Sequence, residues 1–429
     1  LVGQLLSGAL LEGPLAKPVY IEWPPGMLEA GILTKEEIET TVAKLVKGMY
    51  GNPDSALMFF KEYKHVLVGM QMVQSKLDPC VFMKHDGNGN LVLMAVIHVD
   101  DTMLAGHPDW IGWYKDGIGK RFDYTDQGKL SKHLGVTYEW FEDENGEPYI
   151  IARMPKMVKQ IVDTYERFTK ADVTMYDVPA APATILEKGS NEQPVEPEAY
   201  RCVVGKAMYL VTKLWASGSN PTRELTKYFS NPNNEHWKAL EHLVGYLKKH
   251  EDEIYLRYNV PHELRPGTHG DSNYATNKED RKSVSGLLFF LGGVLVNWLC
   301  QTQAFVTLSS TEAELGAQVS GVQEVVFQLQ LLQELYLGCK PAIMLIDNTG
   351  AIYLIKNHAV SQRTKHISVK WHFYREHHEA GDFDPIHHGT DDNAADLLTK
   401  NSDVIMFQKH DNAIRNCQTY LRTHWFELV

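Results

Sequence analysis

Leu91-Val92-Leu93-Met94-Ala95-Val96-Ile97-His98-Val99-Asp100-Asp101-Thr102-Met103-Leu104-Ala105-Gly106 sets two apolar runs on either side of a pair of adjacent aspartates. The first run is aliphatic and partly β-branched, and it follows the turn-forming Gly87-Asn88-Gly89-Asn90. This pattern predicts strand, tight turn, strand. Asp100 and Asp101 then stand at the tip of a hairpin. Two readings fit them. They are solvated aspartates at an exposed turn, where Asp is common, or carboxylates gathered for a divalent cation such as Mg2+, which favours one or two carboxylates together with substrate phosphates.

On the N-terminal side of the hairpin, Lys35–Met49 and Pro53–Met70 have helical patterning, the second opened by Asn52-Pro53-Asp54. On the C-terminal side, Pro148–Ala152 predicts a strand and Met157–Tyr165 a helix. Residues 172–198, rich in Pro, Ala and Thr, predict a surface connector with no core of its own. Tyr200–Trp215 and His236–Lys249 follow as helices, the second capped from Asn231-Pro232-Asn233-Asn234. From residue 254 the pattern changes. Strands are expected at Ile254–Tyr258, at Thr268–Asp271, and over Ser285–Trp298 around a turn at Gly292-Gly293. A long helix, Thr311–Leu337, starts behind a Ser309-Ser310 cap; strand Ala342–Ile346, helix Thr349–Lys356, strand Asp384–His387 and a short helix Asn393–Thr399 complete the order. Such an order describes a mixed α/β domain.

The 429 residues suffice for two or three domains, and 44% hydrophobic with 10% aromatic residues is the composition of a folded chain. No stretch is long and charge-free enough to span a bilayer, which excludes a membrane partner by that route. Leu1-Val2-Gly3-Gln4 reads as a cut from a longer chain and not as a signal peptide. Five cysteines without a Cys-x-x-Cys pair suggest neither a zinc site nor a disulfide framework, and point to a reducing, intracellular setting, cytoplasm or nucleus. A net charge of −12 excludes nucleic-acid binding by bulk electrostatics alone. It leaves room for a metal-dependent nuclease or polymerase with local basic groups, here Lys278, Arg281 and Lys282, then Arg363, Lys365, Lys370 and Arg375.

In the last third, four acidic residues fall at telling places: Asp271 at the end of a strand, Glu314 in the first part of the long helix, Asp347 after an apolar strand, and Asp396 in the closing helix. Each alone reads as a cap or a solvated surface group. Brought to one sheet edge, the four would bind two divalent ions, activating a water and stabilising the leaving oxygen of a phosphodiester.

Gly270-Asp271-Ser272-Asn273-Tyr274-Ala275, Asp280-Arg281-Lys282-Ser283-Val284-Ser285-Gly286, Leu308-Ser309-Ser310-Thr311-Glu312-Ala313-Glu314-Leu315, Asp347-Asn348, Arg363-Thr364-Lys365-His366-Ile367 and Asn393-Ala394-Ala395-Asp396-Leu397-Leu398-Thr399-Lys400 together resemble the ribonuclease H domain of Ty1/copia-type retrotransposon Pol polyproteins, in that family's order. Lys47-Gly48-Met49-Tyr50-Gly51, Leu77-Asp78-Pro79-Cys80-Val81-Phe82 and His98-Val99-Asp100-Asp101 resemble its reverse transcriptase palm, and Leu134-Gly135-Val136 its primer-grip region. Tyr200–Leu210 and Ser230–Trp237 resemble the segment that joins the two. The resemblance implies an α/β chain, an α+β palm-like domain followed by a ribonuclease H-like mixed-sheet domain. It divides the chain into a palm and thumb over 1–165, truncated at its N-terminus and without fingers, a connection over 166–253, a ribonuclease H domain over 254–402 and a tail over 403–429.

The same resemblance implies that Asp271, Glu314, Asp347 and Asp396 are metal-binding catalytic carboxylates holding two Mg2+ (or Mn2+) ions. Glu314 is preferred to Glu312 because Leu315-Gly316-Ala317 follows it in the family's register. Where the family often has a second Asp, this chain has Asn273. The implied partners are RNA–DNA hybrid, RNA and DNA, with the RNA strand of the hybrid cut and told from DNA by its 2′-hydroxyl. Arg363, Lys365, His366 and His388 are the expected nucleic-acid contacts, and His387 or His388 an aid to product release or proton transfer. A solvated helix face and a surface loop are the alternatives.

One departure bears on the palm. Asp100 and Asp101 would be metal-binding polymerase residues, but the family's third catalytic Asp precedes an Ala-Phe-Leu-Asn-Gly-like segment. Here that segment is Ala9-Leu10-Leu11-Glu12-Gly13, the Asp position falls on Leu5, and no Asp occurs before Asp54. The expectation is therefore a ribonuclease H whose polymerase half makes no DNA. The alternative is a non-catalytic, degenerate or host-adopted nucleic-acid-binding remnant.

Overall fold

Six strands, Val2–Leu6 (β1), Val73–Gln74 (β2), Val81–His85 (β3), Leu91–His98 (β4), Asp101–Gly106 (β5) and Tyr124–Lys129 (β6), form an antiparallel sheet in the order β2-β3-β4-β5-β1-β6. The expected hairpin is β4–β5, with His98 opposite Asp101. Alternation sets its inner face: Leu93, Ala95 and Ile97 are buried, as is Leu104 on β5. Helices Ser55–Gly69 (α1) and Pro108–Gly119 (α2) cover that face through Phe59, Tyr63, Leu67, Ile111, Tyr114 and Ile118. At the turn Val99 takes φ +54°, a conformation that β-branched residues rarely adopt.

The computed structural model describes residues 1–6, 17–49, 54–189, 194–261, 263–277, 279–337, 341–356 and 368–416. The chain divides into two units, Leu1–Leu134, which holds the sheet just described, and Gly135–Val429.

In the second unit Val136–Glu142 (β7) pairs antiparallel with Pro148–Arg153 (β8), and helices Pro155–Thr169 (α3), Pro197–Lys213 (α4), Ser219–Thr226 (α5) and Asn234–Lys249 (α6) follow. Tyr255–Asn259 (β9) then returns to pair with β8. The next sheet contains Pro266–Asn273 (β10), Val284–Leu291 (β11), Val294–Thr302 (β12), Ala342–Ile346 (β13) and Phe383–His387 (β14), in the order β12-β11-β10-β13-β14. The β10–β11 and β11–β12 pairs are antiparallel, the β10–β13 and β13–β14 pairs parallel. Helices Ser310–Glu334 (α7), Thr349–Lys356 (α8), Ser368–Glu379 (α9) and Val404–Arg415 (α10) complete it, with a 3-10 turn over Ala394–Leu398. The α/β class expected from the sequence is the one observed. Among the described residues no helix is long and apolar enough to cross a membrane.

Four expectations need correction. The helix at Lys35–Met49 stops at Thr40, and Ala43–Lys44 is a strand. The helix buries none of its residues, so no tertiary contact offsets the poor helix propensity of Thr40-Thr41-Val42. The first unit ends at Leu134 and not at 165, because Val136, Ala152, Met154, Val158 and Ile161 pack into the core of the second. Tyr255–Asn259 joins the β7–β8 ladder and not the five-stranded sheet. Residues 172–189 are no coreless connector either. Val173 and Val178 are buried with Tyr200 and Leu243, and Leu186 N donates to Glu224 Oε2 at 3.0 Å. Gly245 of α6 makes room for this strap, since a Cβ there would lie 1.9 Å from the Thr174 carbonyl oxygen.

Candidate metal centre

The hairpin pair comes first. Asp100 and Asp101 are half-buried. The antiparallel register of β1 on β5 sets Leu5 directly opposite Asp101, and Leu6 N donates to Asp100 O at 2.8 Å. The residue facing the second aspartate across the sheet is thus aliphatic, while His133 Nδ1 lies 3.4 Å from Asp101 Oδ2.

The second site is built at one edge of the five-stranded sheet. Asp271 lies near the end of the central strand β10, and the parallel register of β10 with β13 pairs His269 with Leu345. Carried two residues further, that register sets Asp271 beside Asp347, which follows the last residue of β13. Asn348 accepts from Ala351 N at 3.0 Å and starts α8, so Asp347 is held between a strand end and a helix start. Glu314 comes from α7, whose N-terminus is fixed by Ser309 accepting from Glu312 N. Gln318 Nε2, one turn on, donates to Glu314 Oε1 at 3.0 Å. Glu312 is elsewhere: it is half-buried and its Oε2 accepts from Leu308 N. Oxygens of Asp271, Glu314 and Asp347 all lie within 4.8 Å of one another.

Asp396 is not in that group of three. It is buried in the 3-10 turn, and its Oδ2 lies 2.7 Å from Lys400 Nζ. Asn393 Nδ2 donates to Gly270 O at 2.9 Å, Thr399 Oγ1 donates to Asp271 Oδ2, and Asn273 Nδ2 donates to Thr399 O at 3.2 Å. These bonds lash the turn to β10.

Carboxylates so placed resist ionisation together. At 4.8 Å and an effective dielectric of about 20, each charged pair repels by about 3.5 kcal/mol. Burial, then the charges of Asp271 and Asp347, push the Glu314 carboxyl up to about 8. Burial, then Asp271, push Asp396 up to about 7 and raise Asp347 as well. Burial alone would lower the Lys400 ammonium, but the charges of Asp271, Asp396 and Asp347 outweigh it and hold it above its usual value. An all-carboxylate donor set is the chemistry of Mg2+ and Mn2+, and these residues fit such an ion.

Residues 4–172 match the family model described as reverse transcriptase (RNA-dependent DNA polymerase). The Retrovirus-related Pol polyprotein from transposon TNT 1-94 of Nicotiana tabacum is 28% identical over 401 residues, 91% of this chain. The corresponding polyprotein from transposon RE1 of Arabidopsis thaliana is 27% identical over 95% of the chain. The chain belongs to the Ty1/copia-type Pol family. It spans 29% of the TNT 1-94 polyprotein and 27% of the RE1 polyprotein. Among solved structures, the foamy viral protease-reverse transcriptase in complex with dsDNA is similar at 11% identity and a TM-score of 0.43, over 89% of this chain and 70% of that one.

For this Pol chain the expected nucleic-acid contacts fare unevenly. Arg363, Lys365 and His366 lie outside the described residues. His388 corrects its expectation. It is buried, its backbone N donates to Ile346 O at 2.9 Å, and its Nε2 lies 3.1 Å from Asp392 O. The strand end draws it into the protein, while His387 beside it is exposed.

Sequence reasoning missed Thr399, Lys400 and Gly286 as neighbours of the carboxylates. Thr399 and Lys400 stood in the quoted motif without a role. Gly286 faces Asp271 across the β10–β11 ladder, and a Cβ there would meet Leu398 Cβ and Thr399 Cγ2 at 2.7 Å and Ala395 O at 2.9 Å. Replacing Gly286 by Ala should therefore push the 3-10 turn and Asp396 off the sheet. Circular dichroism is expected to keep its wild-type form while binding of Mn2+ weakens at least tenfold. Unchanged Mn2+ affinity would show that the turn yields without moving the site.

Proposed function

We propose that residues 254–402 cleave the RNA strand of RNA–DNA hybrids in a reaction dependent on Mg2+ or Mn2+, and that the Asp100–Asp101 half synthesises no DNA. The observation that carries the first claim is the approach of Asp271, Glu314 and Asp347 within 4.8 Å from a strand, a helix and a second strand end. Asp271, Glu314 and Asp347, with Asp396 beside them, would hold the ions. Two such ions, when bound, supply an activated water and neutralise charge on the scissile phosphate. Thr399 and Gln318 orient the Asp271 and Glu314 carboxylates through their hydrogen bonds. The buried floor of the site keeps bulk water from these groups. The 2′-hydroxyl of the RNA strand is the feature by which the hybrid would be read, in the cytoplasm or nucleus where such hybrids arise.

The second claim is supported by Leu5 opposite Asp101. An aliphatic side chain in place of a metal-bridging carboxylate removes several kcal/mol of transition-state stabilisation, roughly 3 to 4 by analogy with loss of one charge-stabilising group.

The test uses a hybrid with labelled RNA and the full chain. Cleavage with Mg2+ or Mn2+, lost in Asp347→Asn, is expected; an intact hybrid in both ions sinks the reading. Primer extension on an RNA template by the same preparation would overturn the second claim. A non-catalytic nucleic-acid-binding remnant is the other reading, favoured by the Lys400 ammonium on Asp396. Hybrid binding without turnover would select it.

A further inference from the structure

We infer that Lys400 competes with a second divalent ion, so that the carboxylates hold one ion firmly and admit another only when the Lys400 ammonium leaves Asp396. The inference rests on the metal-dependent reading above. Asp396 stands apart from the three carboxylates whose oxygens lie within 4.8 Å of one another. One of its oxygens is taken by Lys400 Nζ at 2.7 Å, and the other, Oδ1, is buried without a hydrogen-bond partner. A buried carboxylate oxygen left unpaired is costly, and a cation at Asp396 would remove that cost. The Lys400 side chain is 43% exposed against 8% for Asp396, so the lysine has solvent to withdraw into while the carboxylate does not.

Charge count gives the competition its sign. Four ionised carboxylates carry four negative charges. One divalent ion with Lys400 leaves a single negative charge. Two ions balance the carboxylates alone, and Lys400 then adds an excess positive charge in a half-buried place. A nucleic-acid phosphate brings the negative charge that would draw Lys400 away. Second-ion occupancy is thereby tied to the arrival of substrate.

The test titrates Mn2+ alone into the full chain without nucleic acid, with free Mn2+ followed by electron paramagnetic resonance. The wild type is expected to bind one ion tightly and a second at least tenfold more weakly. Lys400→Gln should tighten the second ion tenfold or more, and Lys400→Met should repeat this if the Gln variant does not fold. Lys400→Arg, which keeps the charge, should retain the wild-type curve, and Asp396→Asn should lose the second ion. Two ions bound with superimposable curves in wild type and Lys400→Gln would overturn the competition alone. No Mn2+ bound by any of them would overturn the metal-dependent reading itself.

Discussion

Asp271→Asn is expected to abolish hybrid cleavage and, in the same molecule, to stabilise the metal-free fold. Asp271 is the shared neighbour in the site: its charge raises Glu314, Asp347 and Asp396 alike. Removing it removes a ligand that every proposed step needs, and a loss on the order of 10³-fold in rate, about 4 kcal/mol, is the scale for deleting one such group. Stability should move the other way. The amide keeps an oxygen to accept from Thr399 Oγ1, and it has nearly the volume of the carboxylate, so packing at the end of β10 is preserved. What disappears is repulsion against Glu314 and Asp347, from which a gain of about 1 to 3 kcal/mol is expected once screening and partial protonation are allowed for. Urea unfolding in chelator reads the gain, and labelled-RNA cleavage reads the loss. A variant both inactive and less stable would make the carboxylate a structural group and count against the site. Asp271→Ala is the contrast: it loses the Thr399 bond and should fall in stability.

Why the four carboxylates could be named from sequence while Thr399, Lys400 and Gly286 could not is a matter of how far each signal reaches. The hairpin at Leu91–Gly106 is written in adjacent residues, by alternation on β4 and a turn between two runs. The start of α7 is equally local, since Ser309 needs only Glu312 three residues on. Strand β13 and helix α8 fall where their apolar runs lie, at Ala342–Ile346 and Thr349–Lys356. Local patterning failed where a distant partner decides. Tyr255–Asn259 has the composition of a strand for either sheet, and only its pairing with Pro148–Arg153 settles which. Val173 and Val178 are two apolar residues in a Pro-rich run, and they are buried in one core with Tyr200 and Leu243 of helices much further along the chain. Thr399 meets Asp271 across 128 residues of sequence. The family resemblance supplied the four carboxylates together. It did not supply the absence of Asp396 from the group of three, nor its ion pair with Lys400 just past a short 3-10 segment whose geometry no periodicity encodes.

Metal-free protein is expected to lose stability as pH rises from about 5 to 8, and Mg2+ or Mn2+ should restore it more strongly at the upper end. The sign follows from proton counting. Glu314 is pushed up to about 8 from an ordinary 4.5, and Asp396 to about 7 from 3.8. Between those values the folded chain holds protons that the unfolded chain has released, so unfolding sheds protons and stability falls as pH increases. Well below the ordinary values of 3.8 and 4.5 both states are protonated and the groups contribute no difference. The repulsion grows through this window and is complete only above pH 8, once Glu314 has lost its proton as well. A divalent ion binds the deprotonated carboxylates and displaces protons, so its stabilisation must grow with pH over the same window. At a concentration 100 times its dissociation constant an ion adds about 2.7 kcal/mol, a rise of roughly 5 to 10 °C in melting temperature for a domain of this size. His410 acts in the opposite sense: burial, then the charge of Lys409, push it down to about 4, so stability falls as pH drops from 6.5 toward 4. His410→Gln should flatten that acid limb and leave the response to Mg2+ at pH 8 untouched. Melting curves at pH 5.5, 7 and 8, with chelator and with Mg2+, separate the two limbs. An equal Mg2+ effect at pH 5.5 and 8 would mean that the carboxylates at the edge of the five-stranded sheet are not the groups that bind the ion.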